Sequence, residues 1–573
     1  MRSSFSKILT FLILGISSTS AQLSTPGRFA LRLAVQDTAL SKGLLSNIVA
    51  EIKLVGDSLT WFGTGQGLAM HDGKRVYNYR TTLDSLADGQ VTKMLPLGGI
   101  PAVAVMHDTM AVAYSGDNGS IQVGYGLTLT YNSQAVNDSA GISWVYLSQP
   151  MDNDVDTLRP FGEGFFRSLP VTVPEANVTY DAFLYRDYLW TASWAGGLRR
   201  FHLDNRNWEV IPMPMDQQDS LSFCSGFDEI DDLGRNILPG YYLNPRDPTD
   251  GGNHNHKAFS VLVNGDTVWA GTANGINRGI MINEWREVTP GNFQLFNCIE
   301  WVHYTYQNAD LSGNFVVGLA KQFWNGGTTI WAATMNADTP GEVRGLSYTR
   351  DGGLTWKTTL LGERIYNITA KDSLVLASSQ SGLWKSFDGE NWALYNPAID
   401  TTFMAQSEIL TDIVYTSVID DRKEDVSSLW VGTSNGAALS TDLQGSSWTI
   451  FQTEYDSAEF YAYPNPFSPL NHNQMGDEGY VRFHTGTIIN SKVELDIFNF
   501  AMEKVFQTNY DLNAYDGALK WNGRDMNGIL VDNGVYFIRI KYAPSVNRSP
   551  QYFWDKLIVC LLYTSPSPRD SSP

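Results

Sequence analysis

The side chains that could do chemistry in this sequence are carboxylates at turns and one close histidine pair. Asp351, Asp388 and Asp442 each stand in a turn-like segment. Hydrolysis of a glycoside needs two such carboxylates facing one another across a cleft. His254 and His256 could ligate zinc only with a further protein ligand, which nothing near them supplies. The sequence therefore offers candidate groups but no complete catalytic or zinc constellation.

Two acidic runs, 152–156 and 228–232, are the remaining candidates for a cation site. Calcium prefers several oxygen ligands, but neither run has the glycine and glutamate spacing of an EF-hand loop. We expect solvated acidic loops, with calcium as the alternative. No nucleophile elbow, HExxH, P-loop or dinucleotide motif stands in a suitable context. We therefore predict no catalytic residue, no metal and no cofactor.

Composition narrows the class of protein further. The chain has 573 residues, 43% of them hydrophobic and 12% aromatic, which is too apolar for a disordered protein. Its 60 acidic residues outnumber its 40 basic ones, for a formal charge of −20. Such an acidic surface argues against nucleic acid or an anionic membrane as the main partner.

A repeat along the chain predicts the elements that position these groups. A polar pair, an apolar residue, Trp, small residues and then Gly recur, and two copies lack the Trp. Aligned on that position, the seven copies fall at Trp61, Ala111, Trp190, Trp269, Trp331, Val375 and Trp430. Each unit is typical of four short strands, and such units pack radially to bury their faces. We predict an all-β chain with a seven-bladed β-propeller over residues 22–453; a long sandwich or a solenoid is the alternative.

The register of the repeat also predicts where a ligand would bind. In a propeller the innermost strand of each blade begins at one mouth of the central channel. Six candidate ligand-binding residues lie near such strand starts: Asn47, His256, Lys257, Asn314, Arg364 and Asp412. A cationic spot of His256, Lys257 and Arg364 would favour a carboxylate-bearing ligand such as an acidic sugar. The alternative is that these cations pair with channel carboxylates such as Asp412.

The two widest repeat steps contain insertions at about 132–178 and 212–255. Their aromatic and basic residues could offer faces to sugars or peptides, or could simply fill the cores of small loops. These residues are Trp144, Tyr146, Phe165, Tyr241, Tyr242 and Arg246. Cys224 and Cys298 could pair, but we expect two buried free thiols.

Three repeats carry a second marker, the pattern Ser/Thr-x-Asp-x-Gly-x-Thr-Trp or a variant one residue shorter or longer. The carboxylate and hydroxyl would bond turn amides, and the Trp would pack back onto the hairpin, so we predict a structural role. The residues are Thr349, Asp351, Gly353 and Trp356; Ser386, Asp388 and Trp392; and Ser440, Asp442, Gly445 and Trp448.

The two ends of the chain differ from the rest. Residues 1–21 have a basic start, a short apolar core and small residues at the cleavage positions, so we expect an export signal peptide. Residues 560–573 form a Ser/Pro tail that we interpret as a sequencing artefact; a natural tail is the alternative. No later run is long enough to span a membrane.

Residues 454–559 predict a separate small β-sandwich. Tyr463-Pro-Asn-Pro-Phe467 opens it, and six short strands follow, with a turn at Trp521-Asn-Gly-Arg-Asp525. These motifs resemble the FlgD-like Ig module that closes many secreted bacterial proteins and acts as a type IX secretion sorting domain. The resemblance implies the secretion machinery as a partner; a plain accessory sandwich is the alternative.

The propeller repeats resemble two known groups. Trp61 to Tyr79 resembles the repeat of two-component-regulator propellers, although no kinase follows. Residues 349–448 resemble the Asp-box (BNR) repeats of sialidases, xyloglucanases and sortilin-like propellers, in which the box lies on the outer rim. The Arg-Ile-Pro motif of sialidases is absent.

We therefore predict a secreted or cell-surface protein without catalytic activity, which binds a glycan or a protein through its propeller. The alternatives are an Asp-box glycoside hydrolase, or a sensor propeller that acts with a separate kinase. Two facing carboxylates at the channel mouth would favour the hydrolase.

Overall fold

The computed structural model describes residues 43–561, apart from several internal gaps. These gaps are residues 80–82, 86–90, 94–97, 118–121, 138–140, 174–176, 338, 396–397, 399–407, 424–425, 454–459, 486–491, 513–518 and 543–548. The predicted signal peptide, and the tail from residue 562, lie outside the described residues. Within them the elements are strands and three single 3-10 turns, at Ala135–Asn137, Pro248–Asp250 and His254–His256. The all-β prediction is confirmed.

Seven antiparallel sheets follow one another along the chain. The first sheet contains β1 (Val49–Val55), β2 (Leu59–Thr64), β3 (Gly67–His71) and β4 (Val76–Tyr79), and the second contains β7 (Gly99–Met106), β8 (Thr109–Asp117), β9 (Gln122–Thr130) and β10 (Val145–Leu147). The third contains β13 (Thr179–Tyr185), β14 (Tyr188–Ser193), β15 (Gly197–His202) and β16 (Trp208–Ile211). The fourth contains β20 (Ala258–Asn264), β21 (Thr267–Thr272), β22 (Gly275–Thr289) and β23 (Asn292–Tyr304), and β17 (Ser220–Ser222) adds a fifth strand to it. A separate hairpin pairs β5 (Leu83–Ser85) with β6 (Val91–Lys93).

The last three sheets have the same up-and-down order. They contain β24 (Phe315–Trp324), β25 (Gly327–Met335), β26 (Gly345–Thr349) and β27 (Lys357–Thr359); β28 (Ile365–Lys371), β29 (Leu374–Ser379), β30 (Gly382–Ser386) and β31 (Ala393–Leu394); and β32 (Val414–Lys423), β33 (Val426–Thr433), β34 (Gly436–Ser440) and β35 (Trp448–Phe451).

These seven sheets form a closed ring. The first strand of each sheet contacts the first strand of the next, and β32 of the seventh contacts β1 of the first. The two ends of the ring are joined by hydrogen bonds: the Leu44 N–H donates to the Gln452 carbonyl at 3.1 Å, and the Thr453 N–H donates to Asn47 Oδ1 at 2.8 Å. We call this arrangement the ring.

The repeated Trp fills the space between neighbouring sheets. Trp61, Trp190, Trp269, Trp331 and Trp430 are at most 3% exposed. Trp269 meets Trp356 of the next sheet edge-on at 6.1 Å, and Trp331 meets Trp392 in the same way at 6.4 Å. Small residues on the same strands let the sheets approach, so the sequence repeat is a packing repeat.

The two insertions combine into one extra sheet. It contains β11 (Leu158–Phe161), β12 (Gly164–Ser168), β19 (Asn236–Leu243) and β18 (Glu229–Ile230), and β12 pairs with β19 in parallel. We call it the insertion sheet. Phe166, Phe223 and Tyr241 pack it against Trp190 and Trp301 of the ring.

The expectation of two free thiols is wrong, because Cys224 and Cys298 form a disulfide. Ser220–Ser222 pairs with β23, in the order Ser222 opposite Glu300, and this brings the two Cα atoms within 5.2 Å. The bond fixes the second insertion to the fourth sheet of the ring.

Two further sheets follow the ring. One contains β36 (Tyr461–Tyr463), β37 (Val481–His484) and β40 (Lys520–Trp521); the other contains β39 (Lys504–Asp511), β38 (Lys492–Phe498), β41 (Gly534–Tyr542) and β42 (Gln551–Val559). They enclose one hydrophobic cluster around Phe467, Ile497, Trp521 and Ile538, each at most 1% exposed. The Trp521 indole N–H donates to the Arg524 carbonyl at 2.7 Å, which closes the predicted turn.

Candidate functional site

The first strands of the ring surround a cavity of about 300 Å³. Six of them line it at a similar distance from their starts: Ile52–Leu54, Asp181–Phe183, Val261–Leu262, Gly318–Leu319, Asn367–Thr369 and Thr416–Val418. Asn367 Nδ2 donates to Thr416 Oγ1 at 3.0 Å, and Thr369 Oγ1 donates to the Ser417 carbonyl at 2.5 Å, so β28 and β32 run in the same direction. The residues that precede these strands therefore lie at one end of the cavity, which we call the mouth.

Two of the predicted mouth residues, Asn47 and Asn314, accept hydrogen bonds from backbone N–H groups. Asn47 is 5% exposed and accepts the Thr453 N–H, while its carbonyl accepts the Gly436 N–H at 2.6 Å. Asn314 Oδ1 accepts the Tyr306 N–H at 2.6 Å, and Asn314 Nδ2 donates to Gln307 at 3.0 Å. Both amides are engaged within the chain.

His256 is buried and neutral rather than a cation at the mouth. It is 1% exposed, and its Nδ1 accepts the Asn244 N–H at 3.0 Å while Nε2 donates to the Met213 carbonyl at 3.1 Å. Burial lowers its pKa to about 4, because the charged ring loses its hydration. His256 joins the second insertion to the ring and adds no positive charge near neutral pH.

Lys257 is also buried, at 5% exposure. Its Nζ donates to His254 Nδ1 at 3.1 Å and lies 5.0 Å from the centre of the Trp194 ring. A cation above an aromatic face is stabilised by the ring's electron density. The ammonium is therefore held between protein groups.

Arg364 is the predicted residue best placed to meet a ligand. It is half-buried immediately before β28, and its guanidinium carbon lies 5.6 Å from the centre of the Tyr366 ring. Its Nε is buried without a hydrogen-bond partner among the described residues. Tyr415 contacts Tyr366 at 5.3 Å, and burial raises the pKa of both phenols, with the Arg364 charge opposing that rise.

Asp412 contacts the segment between β36 and β37, and it forms no ion pair with a basic residue of the mouth within the described ranges. Its Oδ2 accepts the Gly476 N–H at 2.7 Å, and its own N–H donates to the Gln474 carbonyl at 2.5 Å. Burial raises the pKa of this carboxyl. Nearby, Lys520 Nζ lies 2.5 Å from Glu408. This contact could not be predicted from the sequence, because neither segment carries a local pattern that indicates the other.

The three Asp turns lie between the third and fourth strands of their sheets. Asp351 Oδ1 accepts the Thr355 N–H at 2.9 Å and the Thr349 hydroxyl at 2.8 Å. Asp388 accepts the N–H groups of Glu390 and Asn391, both at 2.8 Å. Asp442 likewise accepts the Gln444 N–H at 2.9 Å. These carboxylates satisfy their own turns.

The rest of each marker supports the same turn. Thr349 Oγ1 accepts the Gly353 N–H at 2.8 Å, and Ser386 Oγ accepts the Gly389 N–H at 2.8 Å. Gly353 and Gly445 have positive φ angles of 95° and 73°. The Asp442 N–H faces the Ser440 hydroxyl at 3.4 Å, and Trp448 is 6% exposed.

We predict that the Asp351 turn contributes stability that acid removes. Its hydrogen bonds to Thr355 and Thr349 lower the pKa of Asp351 from its ordinary 3.8 to about 2. A carboxyl with a lowered folded-state pKa stabilises the fold above pH 3.8, and the contribution is lost as the pH falls towards 2. Thermal unfolding of Asp351→Asn should show a lower Tm at pH 7 and a smaller difference from the unsubstituted chain near pH 2. An unchanged Tm at pH 7 would contradict the structural role.

Several carboxylates of the two acidic runs form ion pairs with arginine side chains. Asp152 Oδ1 lies 2.9 Å from both Arg159 Nη2 and Arg199 Nη1. Glu229 pairs with Arg167, and Asp231 with Arg235 at 2.7 Å. No group of three or more metal-ligating side chains occurs among the residues that the structure describes.

Of the insertion aromatics, Trp144 packs against Trp61 at 6.1 Å and Tyr241 is 1% exposed. Tyr146 and Tyr242 are 38% and 39% exposed, Phe165 is half-buried, and Arg246 is exposed. Packing thus accounts for part of the set, and the exposed members stay candidates for contacts with sugars or peptides.

Comparisons with known proteins do not assign a function to this chain. No family model matches the chain, and no curated protein matches it. Among solved structures, YCF48 from Cyanidioschyzon merolae is 11% identical with a TM-score of 0.34, covering 70% of this chain and 98% of that one. PorZ, a bacterial surface component of the type-IX secretion system of Porphyromonas gingivalis, is 12% identical with a TM-score of 0.19, covering 90% and 87%. The extracellular domain of BT3049 from B. thetaiotaomicron is 10% identical with a TM-score of 0.22, covering 89% and 78%.

None of the helices in the described ranges has the length and apolar character that crossing a bilayer requires.

Proposed function

We propose that this chain is a secreted or cell-surface protein in which a seven-bladed β-propeller binds a glycan or a protein at the mouth, without catalysis. The observation that carries the proposal is Arg364, which is half-buried immediately before β28 of the ring and has a buried Nε without a partner among the described residues. A buried donor without a partner is costly, and a ligand oxygen would satisfy it. Seven sheets with first strands in a closed ring support the propeller assignment.

The ligand that fits Arg364 carries a carboxylate, because a guanidinium binds planar oxyanions through paired hydrogen bonds. Tyr366, which is 4% exposed, packs beside this guanidinium, and Tyr415 packs against Tyr366. A carboxylated sugar and an acidic peptide both carry such a carboxylate. Lys257 and His256 support the wall of the mouth rather than adding free charge.

A glycoside hydrolase is the less favoured alternative. Asp181 is the one carboxylate among the described residues that line the cavity, and it accepts the Val261 N–H at 3.0 Å. The two-carboxylate mechanism needs a facing partner. The Asp turns between outer strands are occupied by their own amides, so they do not supply one.

The C-terminal sheets are proposed to be an Ig-like module that serves secretion or anchoring. Two small antiparallel sheets around one core, opened by Tyr463-Pro-Asn-Pro-Phe467, support this assignment. Export through a cleaved signal peptide at 1–21 is part of the same proposal. Retention of the protein in cells that lack the type IX pathway would test it.

Binding and turnover screens test the main proposal. The full mature chain should bind a member of an array of acidic glycans and acidic peptides, with no release of new reducing ends. Arg364→Ala should weaken that binding about tenfold or more, because a charged hydrogen bond is lost. Arg186→Ala is the matched control, since Arg186 is exposed, pairs with Asp266 at 3.5 Å and lies 5.2 Å from the centre of the Tyr185 ring. Turnover of a polysaccharide, or equal binding by both variants, would contradict the proposal.

A further inference from the structure

The outer face of the four-stranded C-terminal sheet carries an exposed plate of aromatic rings. Trp554 and Tyr552 on β42 are 49% and 51% exposed. Phe498 of β38 stacks on Trp554 with ring centres 5.7 Å apart and planes 29° from parallel. Exposed aromatic rings that cluster on one face of a sheet mark an interaction site more often than single exposed residues do.

The strand register places these rings on one face. On β42 the exposed residues alternate with half-buried or buried ones, so Tyr552 and Trp554 face outward while Leu557 enters the core. Asp496, Arg539 and Trp554 lie opposite one another across three strands. Glu494, Lys541 and Tyr552 form the neighbouring row. We call this surface the aromatic face.

Arg539 holds the rings in place. Its guanidinium carbon is 5.2 Å from the centre of Phe498 and 5.5 Å from the centres of both Tyr552 and Trp554. Its Nε donates to Asp496 Oδ2 at 3.0 Å, and Asp496 is fully buried. The rings are therefore oriented before any ligand arrives, which lowers the entropic cost of binding.

The aromatic face is locally positive in an acidic chain. Asp496 faces two cations, Arg539 and Lys504, the latter at 2.7 Å, so the trio keeps one net positive charge. Lys556 is exposed on the same side of β42 and adds another, whereas Lys541 is paired with Glu494 at 3.2 Å. Against a total charge of −20, this complementarity selects an acidic ligand.

We propose that the aromatic face binds a carboxylated polysaccharide chain. Sugar rings would stack on Tyr552 and Trp554, because their C–H edges pack against aromatic faces, and the carboxylates would reach Lys556. An open face of this kind suits successive residues of a polymer. The site is separate from the mouth and does not depend on it.

Polygalacturonate is the probe, with unsubstituted dextran as the neutral comparison, and binding to the full mature chain is measured by affinity electrophoresis and calorimetry. Trp554→Ala should weaken polygalacturonate binding at least tenfold, and Trp554→Phe should restore most of it. Lys556→Gln should lower both the affinity and its salt dependence. Trp285→Ala is the matched control, because Trp285 on β22 of the ring is 69% exposed.

The outcomes separate this site from the mouth. Loss of binding with Trp554→Ala but not with Arg364→Ala supports the aromatic face whatever the fate of the proposal for the mouth. Loss with Arg364→Ala alone assigns the glycan to the mouth and overturns this inference. If dextran binds as well as polygalacturonate, the proposal that the ligand is acidic is wrong. If polygalacturonate does not bind, or if the face captures only a protein, the proposal that the ligand is a glycan is wrong. Trp554→Ala should keep the Tm of the unsubstituted chain, so that its loss of binding is not a loss of folding.

Discussion

Asp152→Asn is expected to lower the free energy of unfolding by about 3–5 kcal/mol, because a buried ion pair would lose one partner. Asp152 is buried and contacts Arg159 and Arg199 at 2.9 Å each. Arg199 is itself 3% exposed, and burial lowers its pKa. Removing the carboxylate leaves a buried guanidinium without its counter-charge. Equilibrium unfolding in urea measures the loss.

The control for that prediction is Asp421→Asn. Asp421 pairs with Lys371 at 2.6 Å, but both side chains are substantially exposed. Exposed ion pairs contribute about 0–1 kcal/mol, because water screens them and ordering their side chains costs entropy. If Asp152→Asn and Asp421→Asn destabilise equally, the buried network does not anchor the first insertion to the third sheet.

Loss of the Cys224–Cys298 disulfide is expected to destabilise the folded chain by about 3–4 kcal/mol. The bond closes a loop across 74 residues, so its removal frees a long segment of the unfolded chain. Cys224→Ser with Cys298→Ser should therefore lower the Tm by several degrees. Amide exchange should accelerate most in the insertion sheet, which the bond ties to β23.

Cys560→Ser serves as the control for the disulfide, because Cys560 is not part of a disulfide bond. Treatment of the unsubstituted chain with a reductant should reproduce the double variant. A Tm that neither the reductant nor the double variant changes would mean that the insertion sheet is held by Phe166, Phe223 and Tyr241 alone.

The all-β class and the positions of the repeats could be predicted because their causes are local. Trp269 and Trp331 recur with small neighbours because each must fill the same gap between sheets. The Trp and its small neighbours lie within a few residues of one another, so the pattern can be recognised in the sequence. The Asp351 turn was likewise predictable, since its hydrogen bonds span four residues. The strands of the C-terminal sheets follow the alternation of the sequence closely, as in Lys492–Phe498.

The remaining features depend on contacts between distant segments. Parallel pairing of β12 with β19 joins two insertions that the repeat pattern could only delimit, and the same insertion brings Cys224 to Cys298. His256 lies shortly before β20, and its burial and neutrality follow from contacts with Asn244 and Met213 on the second insertion. The aromatic face could not be predicted, because the sequence pattern of alternating exposed residues is the same whether or not these residues cluster with aromatic rings of neighbouring strands.

Binding of the ligand at the mouth is tested by amide hydrogen exchange of the full chain with and without the tightest binder from the acidic array. We expect slower exchange at Ile365–Lys371 and Val414–Lys423, which begin at the mouth, and no change at the Asp turn of 349–356. Protection confined to the Asp turns or to the C-terminal sheets, with β28 and β32 unchanged, would contradict it.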